Sequence, residues 1–196
     1  MKHLGFLTVI EYQRLGLIGG YLILDRLGRP LEFHCTTPVK ANRAQEILYG
    51  VTLDAFLYGE QIAQTLIRRA KVKPCTVLTD RPQVLAVQDF IEIPIAFIDT
   101  RSVKEQKLQI CGIESQFPEE PEESKSIKEP LVAEHCISFA KWSEHFVGRY
   151  QLMLPEQPTC PASQTADELK NVSSTIDFLE PFERIRLAIA EAQKAA

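Results

Sequence analysis

No long apolar run, no leader-like opening and no paired-cysteine motif occurs in this chain. A bilayer-spanning helix needs about 20 consecutive apolar residues, so none is expected and membrane insertion is excluded as a function class. Residues 1–20 mix apolar residues with Glu11, Gln13 and Arg14 and lack a continuous apolar centre, so a secretory signal peptide is not expected. Basic excess is missing too. The chain has 22 Lys and Arg against 26 Asp and Glu, a net charge of -4 and a pI near 5.6. That excludes a domain-wide basic footprint for nucleic acid and leaves a local patch open. The five cysteines, Cys35, Cys75, Cys111, Cys136 and Cys160, stand singly and odd in number. A reduced, cytoplasmic protein without disulfides is the expectation. Neither a P-loop nor a G-x-S-x-G occurs. The close pair Gly19-Gly20 lies between strands, so it cannot cradle a phosphate at a helix N-terminus.

What is present is an ordinary globular pattern: 45% hydrophobic residues over 196 positions, enough to bury one core. Leu4–Glu11, Gly16–Asp25 and Leu31–Cys35 read as three adjacent antiparallel strands with alternating apolar residues. Gly28 suits the turn between the last two, and Gly19-Gly20 marks a bulge or a close backbone approach. Asn42 is a helix N-cap, Gly50 ends or kinks that helix, and Thr52 caps a second one reaching Ala70. Short strands follow at Cys75–Leu78, Ile93–Ile98 and Leu108–Ile113, with helical turns over Arg81–Gln88. Residues 114–130, rich in Pro, Glu and Ser, read as a linker or long loop. The expected class is therefore α+β: an antiparallel three-strand meander, then helices and further short strands, then a C-terminal helical extension. The expected units are a core at 1–113, the acidic linker at 114–130, and an extension at 131–196 ending in a helix over Asp177–Ala195.

The order strand, strand, strand, helix, strand, helix, strand resembles the RNase H-like superfamily. Local features that carry the likeness are Gly19-Gly20-Tyr21 opening the second strand, Asn42-Arg43 ahead of Glu46, and Thr79-Asp80 after the helices. The resemblance covers residues 4–99. It implies a nuclease in which Glu11, Glu46 and Asp80 hold two divalent ions, Mg²⁺ or Mn²⁺, that activate water and stabilise the leaving oxygen. Glu180 or Glu183 would supply a fourth acid. The pattern departs from the superfamily in having Glu rather than Asp on the first strand, at its end, and an extra helical stretch between Glu46 and Asp80.

Other residues point elsewhere. Cys35, following a strand, is a candidate nucleophile for a Cys-dependent enzyme. His34-Cys35 and His135-Cys136 could each lend one ligand to a mixed metal site with Cys111 or His145, although adjacent strand residues face opposite ways. On the terminal helix, Phe182, Ile185 and Ile189 form one apolar stripe, which either packs on its own domain or docks into a partner. Without a strong catalytic motif, the leading function is a non-catalytic binding, adaptor or assembly component. It would need no cofactor and would act through a protein partner or a homo-oligomer. The RNase H-like nuclease, with nucleic acid as its partner, is the alternative.

Overall fold

The computed structural model describes residues 3–12, 15–99, 141–156 and 161–194. Strands β1 (Leu4–Tyr12), β2 (Gly16–Leu24) and β3 (Pro30–Cys35) form the expected antiparallel meander, with no helix between residues 16 and 35. Its register runs from Leu4↔Leu24 to Tyr12↔Gly16. The β2–β3 turn is closed by Asp25, whose Oδ1 accepts the N–H groups of Leu27 at 2.8 Å and Arg29 at 2.9 Å. Gly28 takes φ +75°, where a side chain would strain the backbone.

Helix α1 (Arg43–Tyr49) starts on a capping box: Asn42 Oδ1 accepts the Gln45 N–H, and Gln45 Oε1 accepts the Asn42 N–H. Gly50, at φ +50°, breaks it. Thr52 does not cap the next helix as expected. Its hydroxyl donates to the Tyr49 carbonyl at 2.8 Å within a 3₁₀ turn, Gly50–Thr52. The long helix then winds as a π-helical segment, Ala55–Gln64, and ends as α2 (Thr65–Arg69).

Strands β4 (Thr76–Thr79) and β5 (Ile95–Ile98) lie parallel to β1, linked by a 3₁₀ stretch over Pro82–Phe90. Buried Gln88 fastens that stretch, donating to the Ile91 and Ile93 carbonyls and accepting the Ile95 N–H at 2.8 Å. The hairpin β6 (Lys141–Val147) and β7 (Tyr150–Glu156) completes a seven-stranded mixed sheet, in the order β3-β2-β1-β4-β5-β7-β6. Residues set apart by the sequence as an extension thus supply two edge-side strands. They also supply helices α3 (Ala162–Ser173) and α4 (Glu180–Lys194). The expected strand at 108–113 and the linker at 114–130 lie outside the described residues.

Both faces of the sheet are covered. Phe6, Ile18, Leu78, Ile98 and Leu152 pack under α3 and α4. Leu7, Val9, Tyr21, Val77 and Ile95 pack under the helix at 55–69 and the 82–90 stretch. Gly19 and Gly20 explain how the helices come so close. A Cβ on Gly19 would meet Ile62 and Leu66, and one on Gly20 would meet Ile185 and Ile189 on the opposite side. The lead into α4 is anchored by Asp177, which accepts from Tyr150 Oη at 2.7 Å, Arg149 Nη2 at 2.7 Å and the Leu179 N–H at 3.0 Å.

Glu32 ties the edge strand to the end of α2. Its carboxylate accepts the N–H groups of Val72 at 2.9 Å and Lys71 at 3.0 Å, and pairs with His34 at 2.7 Å. The Val72 and Lys71 amides, then His34, hold its pKa at about 2, below the ordinary 4.5. A depressed carboxylate pKa contributes stability above the ordinary value, and this is lost as pH falls through the folded one. The melting-temperature gap between wild type and Glu32→Gln is therefore expected to be full above pH 4.5 and to shrink towards pH 2. A gap that is flat across that range would refute the role.

Candidate functional site

Alternation along β1 decides where the predicted acids go. Phe6 and Ile10 point to the α4 face, and Leu7 and Val9 to the opposite one. Glu11 is in phase with Leu7 and Val9, at the exposed end of the strand. Its neighbours there include Tyr58. Burial first, then the carboxylates of Asp54 and Glu11, raise the Tyr58 pKa, against an opposing pull from Arg81.

Asp80 is in phase with Leu78, on the α4 face, immediately beyond the C-terminal end of β4. Its side chain is 4% exposed and its Oδ2 accepts from Arg186 Nη2. The other arm of the same guanidinium reaches Glu183 Oε1 at 2.5 Å. Arg186 thus bridges two carboxylates, one buried and one on the helix surface. Asp80 Oδ1 and the nearby β1 hydroxyl, Thr8 Oγ1, are both buried with no protein hydrogen-bond partner. The β1–β4 register, Leu7↔Thr79, continued by one residue sets Thr8 alongside Asp80.

Glu46 sits in the first turn of α1, a helix with no buried residue, and pairs with Arg43 at 2.9 Å. Exposed pairs of this kind contribute little. The structure therefore brings Asp80 together with Glu183, through Arg186. It does not bring Asp80 together with Glu11, which lies across the sheet. Among the described residues no three His, Cys, Asp or Glu side chains gather as a metal-binding group. As placed, the residues do not form the two-ion arrangement that the resemblance implied, because Glu11 and Asp80 belong to opposite faces and Arg186 holds one oxygen of the Asp80 carboxylate, Oδ2, leaving Oδ1 without a partner.

Cys35 is a free, exposed thiol at the end of edge strand β3. Its neighbour His34 points to the other face, where its Nε2 meets Glu32, so His34 is not placed as a base for the thiol. His145 lies on β6, the opposite edge strand. At about 4.8 Å per strand, the Cys35 and His145 strands are roughly 29 Å apart, too far to share an ion. His135, Cys111 and Cys136 lie outside the described residues. Phe182, Ile185 and Ile189 are 1%, 0% and 1% exposed. The apolar stripe is covered by the chain's own sheet, the first of the two placements its periodicity left open.

Sequence reasoning missed two residues, Arg186 and Glu32. Arg186 carries no local signal, being one cation among several on a surface helix, with a partner 106 residues away. Glu32 reads as a polar residue on an alternating strand, and its amide partners are 39 and 40 residues on. A cleft of about 500 Å³ opens at the other end of β1 and β4, lined by residues that include Leu4, Cys75, Thr76, Leu169 and Val172. None of the predicted acids reaches it.

The molecule is a mixed α/β protein with a seven-stranded sheet covered by helices. No helix among the described residues is long and apolar enough to cross a membrane. No family model matches the chain, and no curated protein matches it. Among solved structures it is similar to Ciona intestinalis endonuclease V bound to a 23mer DNA containing an inosine followed by a ribo-adenosine. That match has 8% identity, covers 86% of this chain and 76% of the other, and has a TM-score of 0.42. The same enzyme with a 24mer DNA matches at 10% identity, 86% and 77% coverage, and a TM-score of 0.40. Human endonuclease V matches at 9% identity, 56% and 54% coverage, and a TM-score of 0.31.

Proposed function

We propose that the protein is a non-catalytic binding or assembly component, built on a sheet of RNase H-like order and acting through protein association. The observation that carries this reading is the Asp80–Arg186–Glu183 bridge. The buried carboxylate best placed to hold a divalent ion, at the C-terminal end of the parallel strands, is held by a side chain of the packing helix. Breaking such a pair leaves a buried charge uncompensated, so the bridge serves the docking of α4. Support for association comes from Ile47, Leu48 and Val51, which are 68%, 82% and 93% exposed around the end of α1.

The second reading is a metal-dependent nuclease of RNase H-like type. The element order and the buried Asp80 at the end of β4 favour it. It needs Arg186 to leave Asp80 and further acids to join it. The two readings separate in one assay. The full chain is incubated with Mg²⁺ or Mn²⁺ and single-stranded DNA, duplex DNA, inosine-containing DNA or RNA. The expected outcome is no cleavage above the level of an Asp80→Asn variant. Metal-dependent cleavage by wild type that Asp80→Asn abolishes would overturn the binding reading in favour of the nuclease.

A further inference from the structure

We propose that β3 pairs antiparallel with β3 of a second copy of this chain, joining two sheets across a two-fold axis at Phe33. The inference rests on the association reading and names its surface and its partner. β3 is an outer strand of the sheet, and no described strand lies beyond it. Its hydrogen-bond phase is fixed by the Thr36 N–H, which donates to the Gly19 carbonyl at 2.9 Å. Successive residues of an antiparallel strand point their N–H and C=O groups to alternate sides. Thr36, His34 and Glu32 thus face β2, while Phe33 and Cys35 direct theirs at the open side. Leu31 is the extra residue of a bulge, between Glu32, which pairs with Ile23, and Pro30, which pairs with Leu24.

The sequence of the strand, Pro-Leu-Glu-Phe-His-Cys, is complementary to itself when reversed about Phe33. In that register Phe33 meets Phe33, Leu31 meets Cys35, and Glu32 of one copy meets His34 of the other. The outward backbone groups of the Phe33–Phe33 pair then close about two hydrogen bonds at the axis, and those of Cys35 meet the bulged Leu31 of the other copy. On one face of the joined sheet, each Glu32 has a histidine beside it on its own strand and another across the axis. On the other face lie Leu31 and Phe33, now 44% and 40% exposed, with the exposed Cys35. Cross-strand pairs of these kinds stabilise a sheet, and like charges directly opposite destabilise it. Centring the axis on Glu32 or on His34 would set like residues opposite each other, so charge selects Phe33.

The edge is protected against pairing only at its N-terminal end, by Pro30 and the bulge at Leu31. β3 has no lysine and no proline past its first residue, and its register shift, between Ile23 and Leu24 of β2, lies at its N-terminal end. The other outer strand, β6, carries Lys141 and Glu144. A second copy is the occupant because the match is of the strand with itself, in both charge and apolar content.

The test uses the full chain. Sedimentation equilibrium is expected to show a concentration-dependent dimer for wild type and a monomer for Phe33→Glu, which puts two carboxylates at the axis. Both proteins should give the same far-UV circular dichroism. A second variant covers the case in which Phe33→Glu fails to fold. Directly opposite, hydrogen-bonded residues have Cα atoms about 5.5 Å apart, within disulfide range. In a Cys35→Ser background, Phe33→Cys should oxidise to a dimer that peptide mapping shows to be linked through position 33. The same treatment of Val51→Cys, at a position 93% exposed on a different surface, should give no linkage through position 51. A wild type that stays monomeric overturns the proposal and leaves the edge to an extended peptide of another protein. So does a dimer that survives Phe33→Glu and gives no link through position 33. Nuclease activity in the cleavage assay would sink the non-catalytic reading and leave this pairing standing. An inactive monomer would sink the pairing alone.

Discussion

An Ile185→Asp variant is expected to lose most of its folded population. Ile185 is fully buried, on the face of α4 that lies against Gly20 of β2. Truncating a buried isoleucine to alanine costs about 2–5 kcal/mol. A carboxylate in the same place adds a desolvation penalty of several kcal/mol. Together these approach the whole stability of an ordinary domain, about 5–15 kcal/mol. The melting temperature should fall by roughly 10–20 °C, or the variant should be recovered unfolded, as read by circular dichroism. Leu187→Asp, two residues along and 68% exposed, is the control and should change stability by no more than about 0.5 kcal/mol. If Ile185→Asp melts like Leu187→Asp, α4 does not pack as described.

The second large effect is expected from adding side chains to the middle of β2. Gly19 and Gly20 face opposite sides, and each is overlaid by a helix: Ile62 and Leu66 on one side, Ile185 and Ile189 on the other. A Cβ on Gly19 would lie 3.0 Å from Leu66 Cδ1, and one on Gly20 would lie 2.9 Å from Ile189 Cδ1, with an isoleucine closer still in each case. Overpacking of this kind costs about 1–3 kcal/mol or more, or a fall of roughly 2–12 °C in melting temperature for a chain of this size. Gly20→Val should be among the most damaging single changes in the sheet. Its cause is steric, so pairing it with Ile185→Ala should restore part of the loss, in urea titrations of the single and double variants. A double variant that is merely the sum of two losses would show that space over Gly20 is not the limiting factor.

These two positions also show how far local reasoning reaches. Gly19-Gly20 reads as a close backbone approach because glycine in a strand otherwise weakens it, and the structure supplies the two helices that approach. The apolar stripe Phe182, Ile185, Ile189 reads as a face that must be buried. Periodicity has no term for what buries it, and the answer, the chain's own sheet, depends on strands laid down some 160 residues earlier. Glu11 is a case where a local rule was available: counting alternation from Leu7 and Val9 already sets it apart from the face that Asp80 shares with Leu78. What that count could not reveal is which neighbours β1 has, and so whether Asp80 lies near it at all.

The sequence by itself determined the meander and its tight turn at Arg26–Arg29, the Asn42 N-cap, the break at Gly50 and the amphipathic final helix. Each is set by contacts within a few residues, where backbone preference, turn chemistry and the period of apolar side chains act directly. Tertiary structure alone decided the parallel placing of β4 and β5 beside β1, the joining of β6–β7 to β5, the hold of Glu32 on the Lys71 and Val72 amides, and the capture of Asp80 by Arg186. Those contacts join residues 18 to 106 positions apart. They form only once burial on both faces of the sheet has fixed which strands are neighbours, and no local pattern encodes that choice.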